Sequence, residues 1–172
     1  MTPESIRLLY DYNHWANHHL LDLAEQLTPE QLHAPHEGAY GSVHTTLVHL
    51  MDVEWSWLDE RWRGNHVEAA FDPADYPDVA AIRARWALVE AELNAFIDAL
   101  TPEGEGSADR ILVWEGDGGA IHRRPLWQLL FHVVNHGTQH RSEIAIMLTR
   151  FGHSPGDIDV TRFLNIRDGF ER

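Results

Sequence analysis

The sequence predicts an all-α fold: a four-helix bundle with a small β-hairpin before the last long helix. Three observations predict it. Apolar side chains recur at helical spacing over four long stretches. Capping residues and prolines open these stretches, and glycine or proline closes them. A single glycine-rich turn separates two short runs that read as strands.

Thr2-Pro3-Glu4 opens the first helix, with Thr as N-cap and Pro at the first helical position. Ile6, Leu9, Tyr10, Ala16, Leu20, Ala24 and Leu27 carry it over residues 3–27. Thr28-Pro29-Glu30-Gln31 is a second start, with Gln31 at the capping-box position. Pro35 and Gly38 confine it to a short turn. Gly41-Ser42 caps a second long helix over residues 43–63, stopped by Gly64. Residues 65–78, with Pro73 and Pro77, read as a loop. Ile82, Trp86, Val89, Leu93, Phe96, Ile97 and Leu100 are spaced 4, 3, 4, 3, 1 and 3, which predicts the third helix. Ile111–Glu115 and Ala120–Arg124 flank Gly116-Asp117-Gly118-Gly119 as a hairpin. Pro125 begins the fourth long helix, which runs to Phe151 before Gly152 and Pro155. A short helix near Val160–Ile166 ends the chain.

Composition removes whole classes of chemistry. The 172 residues fit one domain, residues 1–172, with no linker or low-complexity segment to suggest a second. Without cysteine there is no disulfide framework, zinc ribbon, iron–sulfur cluster or thiol nucleophile. Thirteen Lys and Arg against 27 Asp and Glu give −14, so nucleic acid and anionic membrane are not expected partners. No apolar run approaches the ~20 residues that span a bilayer. Glu4, Arg7 and Asp11 in the amphipathic N-terminus do not fit a secretory signal, and the expected compartment is the cytoplasm. The unusual feature is 13 histidines, as many as all Lys and Arg combined.

Three of these lie four residues apart on the fourth helix: His132, His136 and His140. Side chains so spaced share a face, and two imidazoles one turn apart can bind one metal ion. At ~100° per residue, His140 falls about 30° from the centre of the apolar arc, His136 about 70° and His132 about 110°. The first two therefore point inward and His132 sits at the border. Ordinary interfacial histidines hydrogen-bonded to carbonyls or carboxylates are the competing reading. Two ligands are too few, so a third must come from another helix. The second helix offers His44 and His49, each bordering a different apolar arc, and periodicity does not choose between them. That helix is apolar nearly all round, so it must be buried on two sides, which suggests an interface with a second subunit. Exposure of Trp55 and Trp62 is the alternative.

Other motifs fail on context. Gly152-His153-Ser154-Pro155-Gly156 has the pattern of a nucleophile elbow but follows a helix and contains proline. Glu30 and His33 form the only Glu-x-x-His pair, outside the long helices, where a di-iron bundle needs two inside them. Val133 and Gly137, not Glu, follow His132 and His136, so the zincin pattern is missing. Gly116–Gly119 lacks the strand–helix context of a phosphate loop.

Three ordered motifs carry a resemblance. Tyr12-Asn13-His14-Trp15-Ala16-Asn17 on the first helix, Gly41-Ser42-Val43-His44-Thr45-Thr46-Leu47-Val48-His49-Leu50 on the second and Asn135-His136-Gly137-Thr138-Gln139-His140-Arg141 on the fourth resemble those of the DinB/YfiT-like family of metalloenzymes. The likeness runs over residues 3–165. It implies a homodimeric four-helix bundle in which three histidines hold one divalent transition metal, zinc or nickel foremost. Carried over by position, the ligands are His49, His136 and His140. The family often continues with Gly-Gln where this chain has Ser142-Glu143. Glu143, one turn beyond His140, is then a candidate either to hydrogen-bond a ligand or to act as a base. His132, Asn13 and Asn17 are further candidates to support the ligands.

Three neutral imidazoles leave one coordination position open, the pattern of a catalytic site. Related families use such a site to activate a low-molecular-weight thiol. The resemblance therefore implies thiol S-transfer to a small-molecule electrophile, with the thiol as cosubstrate; Glu143 and His132, by their positions near the ligands, are the candidate catalytic residues of this chain. The alternatives are metal-dependent hydrolysis at the same position, or a non-catalytic metal-binding, stress-associated dimer.

Overall fold

The computed structural model of the chain describes residues 1–65 and 69–170. It is mostly helical, with six α-helices and one two-stranded antiparallel sheet among the described residues. The helices are α1 (Pro3–Ala24), α2 (Pro29–His33), α3 (Val43–Ser56), α4 (Val79–Asp98), α5 (Leu126–Arg150) and α6 (Val160–Arg167). Strands β1 (Ile111–Glu115) and β2 (Ile121–Pro125) pair from Ile111 opposite Pro125 to Glu115 opposite Ile121. A 3₁₀ turn at Asp117–Gly119 joins them.

The helix starts follow the capping chemistry. Thr2 accepts from Ser5 N–H, and Thr28 with Gln31 closes a full capping box. Ser42 and Thr45 close a second one at the head of α3. Asp78, not anticipated from the sequence, caps α4 through Ala81 N–H. α1 stops at Ala24 rather than 27. Leu27 keeps helical spacing because it packs on the core from the turn that leads to α2.

The predicted second helix changes character part way. After Ser56 the chain continues as a π turn, Trp57–Trp62, before Gly64 at φ +76° ends it. An i→i+5 turn rotates the side chains that follow relative to an α-helix, and Leu58 and Trp62 reach the core from it.

α1 and α3 each pack against both α4 and α5. The core between them is built from Tyr10, Leu20, Leu47, Met51, Ile82, Trp86, Leu93, Leu126, Ile144 and Leu148, all 0–1 % exposed. Each such aliphatic side chain contributes about 1.5–3 kcal/mol by leaving water. Both apolar arcs of α3 are covered by this same chain. Trp62 stacks on Phe96 and meets Tyr10 edge-on, while Trp55 stacks at 4.4 Å on Phe71 from the following loop.

One polar network crosses this core. Glu54 on α3 accepts from Asn13 Nδ2 (2.6 Å) and Asn17 Nδ2 (2.9 Å) on α1, and from Trp86 Nε1 (2.6 Å) on α4. Arg141 on α5 donates to the Oδ1 atoms of Asn13 (2.6 Å) and Asn17 (3.0 Å), and to Val134 O and Thr138 Oγ1. The two asparagines thus bridge a carboxylate and a guanidinium that are 3 % and 1 % exposed. Burying unpaired charge costs several kcal/mol per ion, and here nearly every polar atom has a partner. Gly137 makes the arrangement sterically feasible: a Cβ there would lie 2.6 Å from Arg141 Nη1 and 3.1 Å from Asn13 Oδ1.

Candidate metal centre

α3 and α5 bring three histidines together. His49 Nε2 and His136 Nε2 are 3.3 Å apart, and the ligand atoms of His49, His136 and His140 all lie within 4.8 Å of one another. Ring centroids are 5.1 Å apart for His49–His136, 4.8 Å for His49–His140 and 4.5 Å for His136–His140. His44, the other candidate on α3, points elsewhere. Its Nε2 is 2.6 Å from Tyr76 O, and its ring lies against His33.

The cluster suits a metal ion on three counts. Nitrogen ligands at about 2.0–2.1 Å from a tetrahedral metal are about 3.3–3.4 Å apart, which matches the Nε2–Nε2 separation of His49 and His136. Two of the imidazoles, His49 and His136, also have their charged form disfavoured, and a metal requires the neutral form. Partial burial, with His140 alongside, lowers the pKa of His49; burial and the neighbouring His140, His49 and His132 lower that of His136 to about 4. Finally, the His140 ring is turned with Nδ1 on Glu143 Oε2 at 2.9 Å, which leaves Nε2 free. His136 Nδ1 is buried and has no hydrogen-bond partner among the described residues.

Glu143 does two things with one oxygen. Oε2 accepts from the backbone N–H of Tyr40 at 3.1 Å as well as contacting His140. Partial burial would raise its pKa, but the hydrogen bonds to His140 and Tyr40 N–H outweigh this and hold the carboxyl below its usual value. The Tyr40 ring stacks on His49 at 4.0 Å and 16°, and meets His140 edge-on at 5.5 Å. His132 lies outside the three-histidine set. Its ring is 6.1 Å from His136 and 4.8 Å from Trp57, and burial lowers its pKa.

Asn13 and Asn17, expected beside the ligands, bond Glu54 and Arg141 instead. Tyr40, Trp57, Glu54 and Arg141 were not singled out from the sequence. A signal existed for two of them. Glu54 falls at core spacing with Leu47, Leu50, Met51 and Leu58, and Arg141 with Gly137, Ile144 and Leu148. Two opposite charges on apolar faces of different helices call for each other. Tyr40 lies in a turn, where no periodicity applies.

Comparison with known proteins agrees with this picture. The sequence model of the DinB family matches residues 1–169. The chain is 23 % identical over 163 residues to Protein DinB of Bacillus subtilis (strain 168), covering 91 % of each chain. It is also 23 % identical over 146 residues to Uncharacterized protein YizA of the same organism, covering 85 % of this chain and 87 % of that one. Among the described residues no helix is long and apolar enough to cross a membrane. The family match, running almost from end to end of a helical chain that gathers three histidines between α3 and α5, establishes that this protein belongs to the DinB family.

Proposed function

We propose that the chain is a four-helix-bundle domain whose His49, His136 and His140 hold one divalent metal, zinc or nickel, and that it transfers a low-molecular-weight thiol to a small electrophilic substrate. The observation that carries the metal reading is the pair of Nε2 atoms 3.3 Å apart, with His140 oriented beside them. A divalent ion with three imidazole ligands and an open position supplies Lewis acidity, lowering the pKa of a thiol or water that reaches it.

The residues divide the remaining work. Glu143 is a positioning residue: its carboxylate fixes the His140 ring, and its lowered pKa makes it a poor base. His132, whose ring neighbours that of His136 and whose charged form burial disfavours, is the proton acceptor for the thiol S–H. The sulfur electron pair then forms the S–C bond, and the leaving group departs with its own pair and takes a proton from solvent. The same site acting on water is the hydrolytic alternative. A homodimer is proposed with it, on the family resemblance and on the apolar Leu88, Phe131 and Ile146 left 46–57 % exposed.

Elemental analysis of protein purified without a nickel column, wild type beside His136→Ala, tests the site. About one divalent metal per chain, lost in the variant, is the expected result; a wild type that takes up no metal on titration refutes it. Electrophile consumption that requires thiol supports transfer. Turnover without thiol assigns hydrolysis, and metal with neither leaves a binding protein.

A further inference from the structure

Aromatic rings border the three-histidine cluster at both ends. Trp57, where the π turn continues α3, follows His49 by eight residues; along α5, His132 precedes His140 by eight. Because His49 meets His136 and His140 while Trp57 meets His132, the two helices run antiparallel along this seam. At the other end Tyr40 stacks on the face of His49 and meets His140 edge-on while remaining 55 % exposed. Its position is built in. The Tyr40 N–H is held by Glu143, and the next residue is a glycine whose Cβ would lie 2.5 Å from Thr45 Oγ1 of the α3 capping box. A side chain at 41 would push the Tyr40 turn away from the cluster. Trp57 is the first residue of the π turn, so it can stay on His132 while Leu58 and Trp62 turn into the core.

Among the described residues no arginine acts on His49 or His136. All 13 basic side chains of the protein are arginine. The arginines found over rings lie on Phe71, Phe96 and Tyr12, away from the cluster. Among the described residues, the charged side chain that acts on His49 and His136, other than histidine, is Glu143. A phosphate- or carboxylate-rich ligand would therefore meet a carboxylate and, among the described residues, no guanidinium, whereas a flat apolar ring would find Tyr40 at one end and Trp57 with His132 at the other.

We infer that the open side of the centre is an aromatic slot, walled by Tyr40 and by Trp57 with His132, which selects a planar, uncharged aryl or conjugated group as the part of the substrate placed beside the metal position. The inference rests on the metal reading above and names the substrate class for it.

The test uses protein loaded with Co(II), whose visible absorption reports ligands entering the coordination sphere. Benzohydroxamate and acetohydroxamate, which present the same metal-binding atoms with and without a ring, are titrated against it, and inorganic phosphate is added as competitor. The wild type is expected to favour benzohydroxamate by about tenfold, the scale of one or two ring contacts. Phosphate at the same concentrations should not displace it. Tyr40→Ala, in an exposed turn, and Trp57→Ala should each lose most of that preference while binding one Co(II) per chain, and Tyr40→Phe should keep it. Equal affinities in the wild type, displacement by phosphate, or an unchanged preference in both alanine variants overturns the slot and leaves the metal centre standing. Failure to take up Co(II) overturns the centre and the slot together.

Discussion

Gly137→Ala sets two effects of opposite sign against each other. In an exposed helix the change stabilises by about 1 kcal/mol, because alanine loses less backbone entropy. At 137 the added Cβ lands 2.6 Å from Arg141 Nη1 and 3.2 Å from its Cζ. The end of an arginine usually swings aside at little cost. This one does not, since Nη1 donates at 2.6 and 3.0 Å to two asparagines and the side chain is 1 % exposed. Displacing it forfeits two hydrogen bonds from a charged donor, each worth about 1.5–3 kcal/mol. The net expectation is a loss of about 2–5 kcal/mol after the helical gain is subtracted. Urea unfolding of metal-free protein, followed by far-UV circular dichroism with a chelator present, measures it as a lower midpoint at unchanged slope. In a chain of this length each kcal/mol lowers Tm by roughly 2–4 °C. A variant as stable as wild type, or more so, refutes the claim that Arg141 is pinned.

Two further outcomes are expected around the cluster. Glu143→Ala should weaken Zn(II) affinity by about 10–100-fold in a competition titration against a chromogenic chelator, the usual effect of removing a ligand's hydrogen-bond partner; an unchanged affinity would mean that the contact with His140 is incidental. The fold itself should be pH-sensitive through His136, whose pKa falls from the ordinary 6.5 to about 4 on folding. Between those values the unfolded chain binds a proton that the folded chain refuses, so the contribution is complete above pH 6.5 and is lost as pH drops toward 4. Metal-free wild type should accordingly lose more stability between pH 7.5 and 5 than metal-free His136→Ala, as read from urea midpoints at the two pH values.

Much of the helical framework is legible because it is local. Thr2, Thr28 and Ser42 announce helix starts within one turn of themselves, and the hairpin is announced by its glycines. His136 and His140 are legible as a pair because both lie on one helix and periodicity fixes their common face. His49 is harder. A helix apolar nearly all round gives no single inward direction, so the choice over His44 came from resemblance, and the structure brings His49 to the pair. The π turn escapes a reading based on a fixed period, because it is a change of period. Cover for α3 from the loop after it was also missed, since Phe71 and Tyr76 sit among prolines and acidic residues that look solvated. The Glu54–Arg141 network joins residues 87 positions apart through asparagines far from both.

That network has a consequence for how the helices find one another. α1 supplies the two asparagines, α3 the carboxylate, α4 the indole N–H and α5 the guanidinium, so each long helix holds one part of a single lock. Apolar surfaces alone tolerate many pairings, because one leucine-rich stripe fits another almost as well. A compact state that slides α5 by one turn seals a charge in the interior without its counterpart, at a cost of several kcal/mol, and one that misplaces α4 leaves Glu54 without the Trp86 N–H. The four helices are thereby proofread against each other: the arrangement that completes the lock is also the one that sets His49 opposite His136 and His140.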